Sequence, residues 1–121
     1  MKVIITKELE FSDQRVNDLL CCALEGGSDY WIGSALGDNP DKEEYKYLAD
    51  LALTKNGGIL IADSYGDMPP QRLDRATLQK GLEVMAAEYP KHLEAFWTEN
   101  DDADTADAFL QCCCFGEVVY G

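Results

Sequence analysis

Glu94, Glu99, Asp101, Asp102, Asp104 and Asp107 place six carboxylates within fourteen residues. Glu117 adds a seventh, in a stretch from His92 to Gly121 that holds no lysine or arginine. Such a run could supply a general acid and base, ligate a hard cation, or offer a negative surface to a basic partner. The cation option is weak. Asp102-Ala103-Asp104-Thr105-Ala106-Asp107 alternates acids but lacks the central glycine and terminal bidentate glutamate of a calcium loop, and Phe109-Leu110 belongs to a core face. Abundance of carboxylates does not identify an acid–base pair either. Asp101, Asp102 and Asp104 also suit a helix N-terminus, at about 0.3–1 kcal/mol each, but that needs one or two acids, not six. A solvated face and an acidic recognition surface remain, and the second makes these six residues the candidate partner contacts.

The other reactive side chains carry less. Five cysteines form two groups, Cys21-Cys22 and Cys112-Cys113-Cys114, with no Cys-x-x-Cys spacing. Neighbours on a helix point about 100° apart, so they neither bridge readily nor share one tetrahedral metal. They read as small buried apolar residues of a reducing compartment, with a zinc, redox or nucleophilic role as the lesser alternatives. His92, the only histidine, reads as a surface residue; a dyad with Cys112 or Cys113 has no support in the pattern. There is no phosphate-binding glycine loop, nucleophile elbow, paired-histidine zinc motif or dinucleotide fingerprint. The expectation is a protein that is not an enzyme, with no catalytic residue, metal or cofactor.

One further constellation is aromatic. Gly26-Gly27-Ser28-Asp29-Tyr30-Trp31 sets two large rings directly after two glycines. As a helix stop followed by core rings it needs no ligand. As a pocket, Tyr30 and Trp31 would stack on a planar group while Arg15, Arg72 and Arg75 neutralise a phosphate.

The elements that must position these residues follow from period and caps. Met1–Thr6 is β-branched and predicts a strand. Ser12 before Asp13-Gln14-Arg15 caps a helix whose apolar stripe is Val16, Leu19, Leu20, Ala23 and Leu24, stopped at Gly26-Gly27. Asp29–Ile32 predicts a strand, Gly37–Asp41 a turn, Glu43–Leu53 a helix with Tyr47, Leu48, Leu51 and Ala52 on one face, and Ile59–Ala62 a buried strand. Ser64–Pro70 reads as a loop. Asp74 caps a helix bearing Leu78, Leu82, Met85 and Ala86, and Pro90 opens a short one with Leu93, Phe96 and Trp97. A last helix starts near Asp102, turns Ala106, Phe109, Leu110 and Cys113 inward and ends at Gly116, before a terminal strand Glu117–Tyr120. The sum is a single α+β domain over residues 1–121, a small β-sheet packed by about four helices.

Composition limits the partners. The 121 residues are 46% hydrophobic and 27% charged, which suits a globular fold. With 23 acids against 10 Lys and Arg, the net charge is −13. Direct binding to nucleic acid is therefore not expected, because phosphate contacts need clustered cations. No long apolar run suggests a membrane span, and no charged leader precedes a hydrophobic stretch.

Two segments together resemble a family of small bacteriophage and prophage proteins. They are Glu25-Gly26-Gly27-Ser28-Asp29-Tyr30-Trp31 and the ending Asp102 to Gln111 followed by Phe115-Gly116-Glu117-Val118-Val119-Tyr120-Gly121. Gly57-Gly58, Leu73-Asp74 and Gly81-Leu82 fall in the same order, while the triple cysteine departs from an aliphatic position. The resemblance implies a viral origin and a host bacterial cytoplasm, and carries no catalytic residues. It suggests, as an analogy of class, an anti-CRISPR-like inhibitor whose acids occupy a basic groove of a host defence protein. The alternatives are a sponge for a cyclic nucleotide immune signal, built on Tyr30, Trp31 and the three arginines, and a phage structural or assembly protein, with a homodimer closed by an edge strand as one form of it.

Overall fold

The computed structural model describes residues 1–4 and 8–121 and is an α+β fold. Strand β1 (Lys2–Ile4) pairs antiparallel with β2 (Glu8–Glu10), Val3 opposite Leu9, and both of these side chains are buried. The predicted first strand is thus seen in its first half, Thr6 lying outside the described residues. β2 is an addition, because Glu-Leu-Glu alone is too short to signal a strand.

Helix α1 (Asp13–Cys22) starts as its sequence dictates, with the Arg15 amide donating to Ser12 Oγ at 3.2 Å. Its exit is not a simple stop. The ladder widens into a π turn over Ala23–Gly27, closed by the Ser28 amide on the Ala23 carbonyl at 2.9 Å. A Cβ on Gly27 would lie 2.8 Å from the Ala103 carbonyl oxygen, so only glycine lets this turn abut the start of the last helix.

Ser28–Trp31 then form a turn, and β3 runs from Ile32 to Asp38, three residues later than the predicted strand and through part of the predicted turn. Here the helix-exit hydrogen bonds hold Trp31 and Ile32 to the Ser28 carbonyl, overriding the β propensity of Tyr30 and Trp31. β3 pairs antiparallel with β4 (Gly58–Asp63), and β4 with β5 (Gln71–Leu73), so two small sheets replace the one expected. Between them, Glu43–Leu53 is not an α-helix. Only a 3₁₀ helix forms at Leu48–Leu53, and Tyr47 is an exposed cap residue instead of a core one.

Helix α2 (Arg75–Glu88) is capped by Asp74, which accepts from the Thr77 amide at 3.0 Å while Thr77 Oγ1 accepts from the Asp74 amide at 2.8 Å. Pro90 opens α3 (Pro90–Trp97), burying Leu93 and Phe96 but leaving Trp97 exposed. Helix α4 (Ala103–Phe115) is the centre of the molecule, packed against α1, the π turn, α2, α3 and β5. Thr105 to Cys112 are all buried, as a helix enclosed on every side requires. Gly116 ends it in the left-handed conformation (φ 74°). Residues 117–120 form no strand. They are an irregular strap whose Val119 and Tyr120 amides both donate to Gln111 Oε1, at 2.7 and 2.8 Å. Among the described residues no helix is long and apolar enough to cross a membrane.

Candidate functional site

The fold separates the six clustered acids. Asp107 is buried and wholly committed inward: Oδ1 accepts from Ser28 Oγ and Trp31 Nε1, each at 2.7 Å, and Oδ2 from the Tyr30 hydroxyl and from Gln111 Nε2 at 3.1 Å. It cannot meet a partner, because four donors already fill its two oxygens. Burial, and next the hydrogen bond to Asp107, pushes the Tyr30 hydroxyl up to about 12. Asp101 is half-buried and accepts from Arg15 Nη2 at 3.1 Å; the same nitrogen reaches the Phe96 carbonyl at 2.7 Å, with the guanidinium 4.6 Å above the Phe96 ring. Asp102 is exposed and caps α4 through the Thr105 amide at 3.0 Å, a bond that holds its carboxyl below the usual value. Asp104 faces a cavity of about 490 Å³ beside Tyr30 and His92. Glu94 borders an apolar groove with Trp97, and Glu99, exposed at φ 60°, lies beside Phe11 and Arg15. They do not make one surface.

The nucleotide-pocket residues are not assembled either. Trp31 is fully buried, stacked on Tyr120 at 5.6 Å, and only Tyr30 of the pair is exposed. Arg72 donates to Asp38 at 2.5 Å and Arg75 to Asp13 at 2.8 and 2.9 Å. None of the three arginines lines the cavity beside Tyr30.

A different acidic site emerges where the π turn meets α4. A cleft of about 800 Å³ opens between the exposed side of α1, the π turn and the segment entering the 3₁₀ helix. Asp18 and Glu25 reach it about two turns apart on the same helical path, and Asp50 faces them from the 3₁₀ helix. Asp50 is fixed by Asn17 Nδ2 at 2.8 Å and by the Lys46 and Tyr47 amides, both at 3.0 Å; the Tyr47 amide contributes most to holding its carboxyl ionised below the usual range. Among the described residues the one cation in its lining is Lys46, set against the Tyr47 ring at 5.2 Å.

Two thiols sit among these acids. Burial first, then Glu25, Asp50 and Asp18, pushes Cys21 up to about 11. Cys22 is exposed yet also raised, by burial and then by Asp101, Asp102 and Glu25. The close contact at Gly27 thereby joins the acids of the α4 start to those of α1. Sequence reasoning does not find this group because Asp50 lies 25 residues beyond Glu25 and meets it only in the fold. The available signal was the polar spacing of Gln14, Asp18 and Glu25 against the α1 core stripe. Cys112 and Cys114 are buried among core side chains and raised to about 12 by desolvation, whereas Cys22 is at the surface, unlike the reading of all five as core. Among the described residues no three His, Cys, Asp or Glu side chains converge as metal ligands.

No family model, curated protein or solved structure matches this chain. What the chain itself presents is an α+β domain with an acidic cleft.

Proposed function

We propose that this chain is a non-enzymatic, phage-encoded inhibitor that lodges its acidic cleft against the basic nucleic-acid-binding groove of a host defence protein in the bacterial cytoplasm. The observation that carries this reading is the gathering of Asp18, Glu25 and Asp50 around a cleft with one lysine among its described lining residues, with the exposed Asp102 near its Cys22 wall. A groove whose cations bind phosphates by displacing counterions would meet here a cluster of fixed negative charge. Glu94, Glu99 and Asp104 stay exposed and add to the field that steers approach; Asp107 takes no part.

The test is affinity capture from a bacterial lysate with the wild-type chain and with Asp18→Lys/Glu25→Lys/Asp104→Lys, all exposed positions. The wild type is expected to retain a nucleic-acid-binding protein that added single-stranded DNA displaces. The variant should lose it, and the association rate should fall steeply with salt. Capture that is equal for both, or indifferent to DNA, rejects the proposal.

A further inference from the structure

The three-stranded sheet ends on one side at β3, and this edge lacks the usual protections. Native edges are kept short, charged, interrupted by proline, or covered, because unpaired N–H and C=O groups template another strand. β5, the opposite edge, fits that pattern: three residues with Arg72 at its middle and Asp74 following. β3 is seven residues long, and Ile32 to Gly37 contain no Asp, Glu, Lys, Arg or Pro. Its irregularity is confined to the Ile32/Ser34 end, so Ser34 to Asp38 run in regular register against β4. Among the described residues the backbone of Gly33 to Gly37 makes no hydrogen bond beyond that ladder. By the antiparallel pattern, alternate residues therefore direct both polar groups to solvent.

The sheet face beside this edge is apolar as well. Leu36 is 61% exposed and Leu60 42%, and the two are direct cross-strand partners. The charges nearest them are compensated, Asp38 accepting from Arg72 at 2.5 Å.

We infer that the free edge of β3 pairs antiparallel with β3 of a second copy, closing a two-fold dimer through a continuous six-stranded sheet. The occupant is a second copy because the edge suits self-pairing. A two-fold axis near Ala35 leaves each Asp38 at an opposite end and brings the two Leu36 side chains onto one face, within cross-strand or diagonal reach. In a molecule of net charge −13 two copies repel, and an uncharged strand is where they can meet without apposing carboxylates. This surface is separate from the acidic cleft, and its salt response is opposite: screening should strengthen the dimer while weakening the basic-partner contact.

Sedimentation velocity over a hundredfold range of concentration should show a species of twice the 13.4 kDa chain, favoured at higher salt. Amide hydrogen exchange across residues 32–38 should slow as the dimer forms. Leu36→Lys should weaken association by about tenfold or more, since like charges would then face each other; Ser34→Glu, also exposed, serves if Leu36→Lys folds poorly. A monomer at every concentration overturns the inference. So does a dimer with unchanged exchange at β3, or one indifferent to both substitutions. A monomer whose β3 amides slow only when another protein is added would also overturn it, assigning the edge to a partner's strand.

Discussion

Asp107→Asn should be the most informative single-atom change in this protein. The carboxylate receives two hydroxyl donors, Ser28 and Tyr30, and two N–H donors, Trp31 Nε1 and Gln111 Nε2. Hydroxyls can rotate and accept, but the indole N–H can only donate. The Gln111 amide is fixed in orientation too, because its Oε1 accepts from the Val119 and Tyr120 amides. An asparagine –NH₂ must therefore point at one of the two obligate donors, whichever way it turns. A buried donor left unpaired costs about 1–3 kcal/mol, and bonds to a charged acceptor are worth about 1.5–3 kcal/mol each. Allowing the hydroxyls to reorient, the net loss is about 2–4 kcal/mol, a fall in Tm of about 6–16 °C for a domain of this size. Urea unfolding followed by Trp fluorescence and circular dichroism measures it, with Asp104→Asn on the same helix as control. Asp104 is exposed, and its change should stay within about 0.5 kcal/mol. Equal effects of the two substitutions would refute the assignment of Asp107 as an internal hub.

Three further outcomes follow from the same geometry. Asp13, Asp50, Asp63 and Asp102 all have carboxyls held low, chiefly by the Arg75 side chain, the Tyr47 amide, the Tyr120 hydroxyl and the Thr105 amide respectively. Their folded pKa values lie below the unfolded ones, so the stability they give is complete above about pH 4 and is lost as pH falls through the folded values; a urea midpoint unchanged between pH 5 and pH 3, in that same window, would contradict this. Cys21, raised from 9.0 to about 11, should have about a hundredfold less thiolate than an unperturbed thiol at pH 8; alkylation followed by mass spectrometry should find Cys22 and Cys21 slow, and Cys112 and Cys114 unmodified until denaturant is added. Gly81→Ala would set a Cβ 2.3 Å from Cys113 Sγ and 3.1 Å from its backbone nitrogen, so α2 and α4 must part, at about 1–3 kcal/mol in a urea titration.

What the sequence disclosed was whatever is local. Ser12, Asp74 and Asp102 cap their helices with side chains that reach only three residues, and Pro90 and Gly116 act through their own backbone angles. The strands were legible only in part, since a strand exists by virtue of a distant partner. Ile59–Ala62 is legible because it is an apolar run, though only its Ile59 and Ile61 side chains are buried and Leu60 faces outward. Glu8–Glu10 and Gln71–Leu73 were not, each being three residues long. Glu117–Tyr120 has strand composition, yet its amides go to the side chain of Gln111, a partner no propensity could name. The hub itself left a trace: Asp107 and Gln111 stand four apart among Ala106, Phe109 and Leu110, two polar groups inside an apolar stripe. Buried groups of that kind need partners, and Tyr30 and Trp31 are side chains with a donor to place.

Charge was the property most distorted by reading along the chain. Six acids in fourteen residues suggest one surface, but a helix turns each residue by 100° and a loop reverses direction, so closeness in sequence does not sum potentials. Charges reinforce one another only within about a Debye length, roughly 8 Å at physiological salt. In the fold, one of the six is sealed inside, one is paired with Arg15, one caps α4, and Glu94, Glu99 and Asp104 border three different cavities. The residues that do reinforce each other come from α1, the π turn, the 3₁₀ helix and the start of α4, brought together because Gly27 has no side chain to hold them apart. The negative field that a basic partner would feel is therefore a product of packing, and a Gly27→Ala substitution should disturb it without altering a single charge.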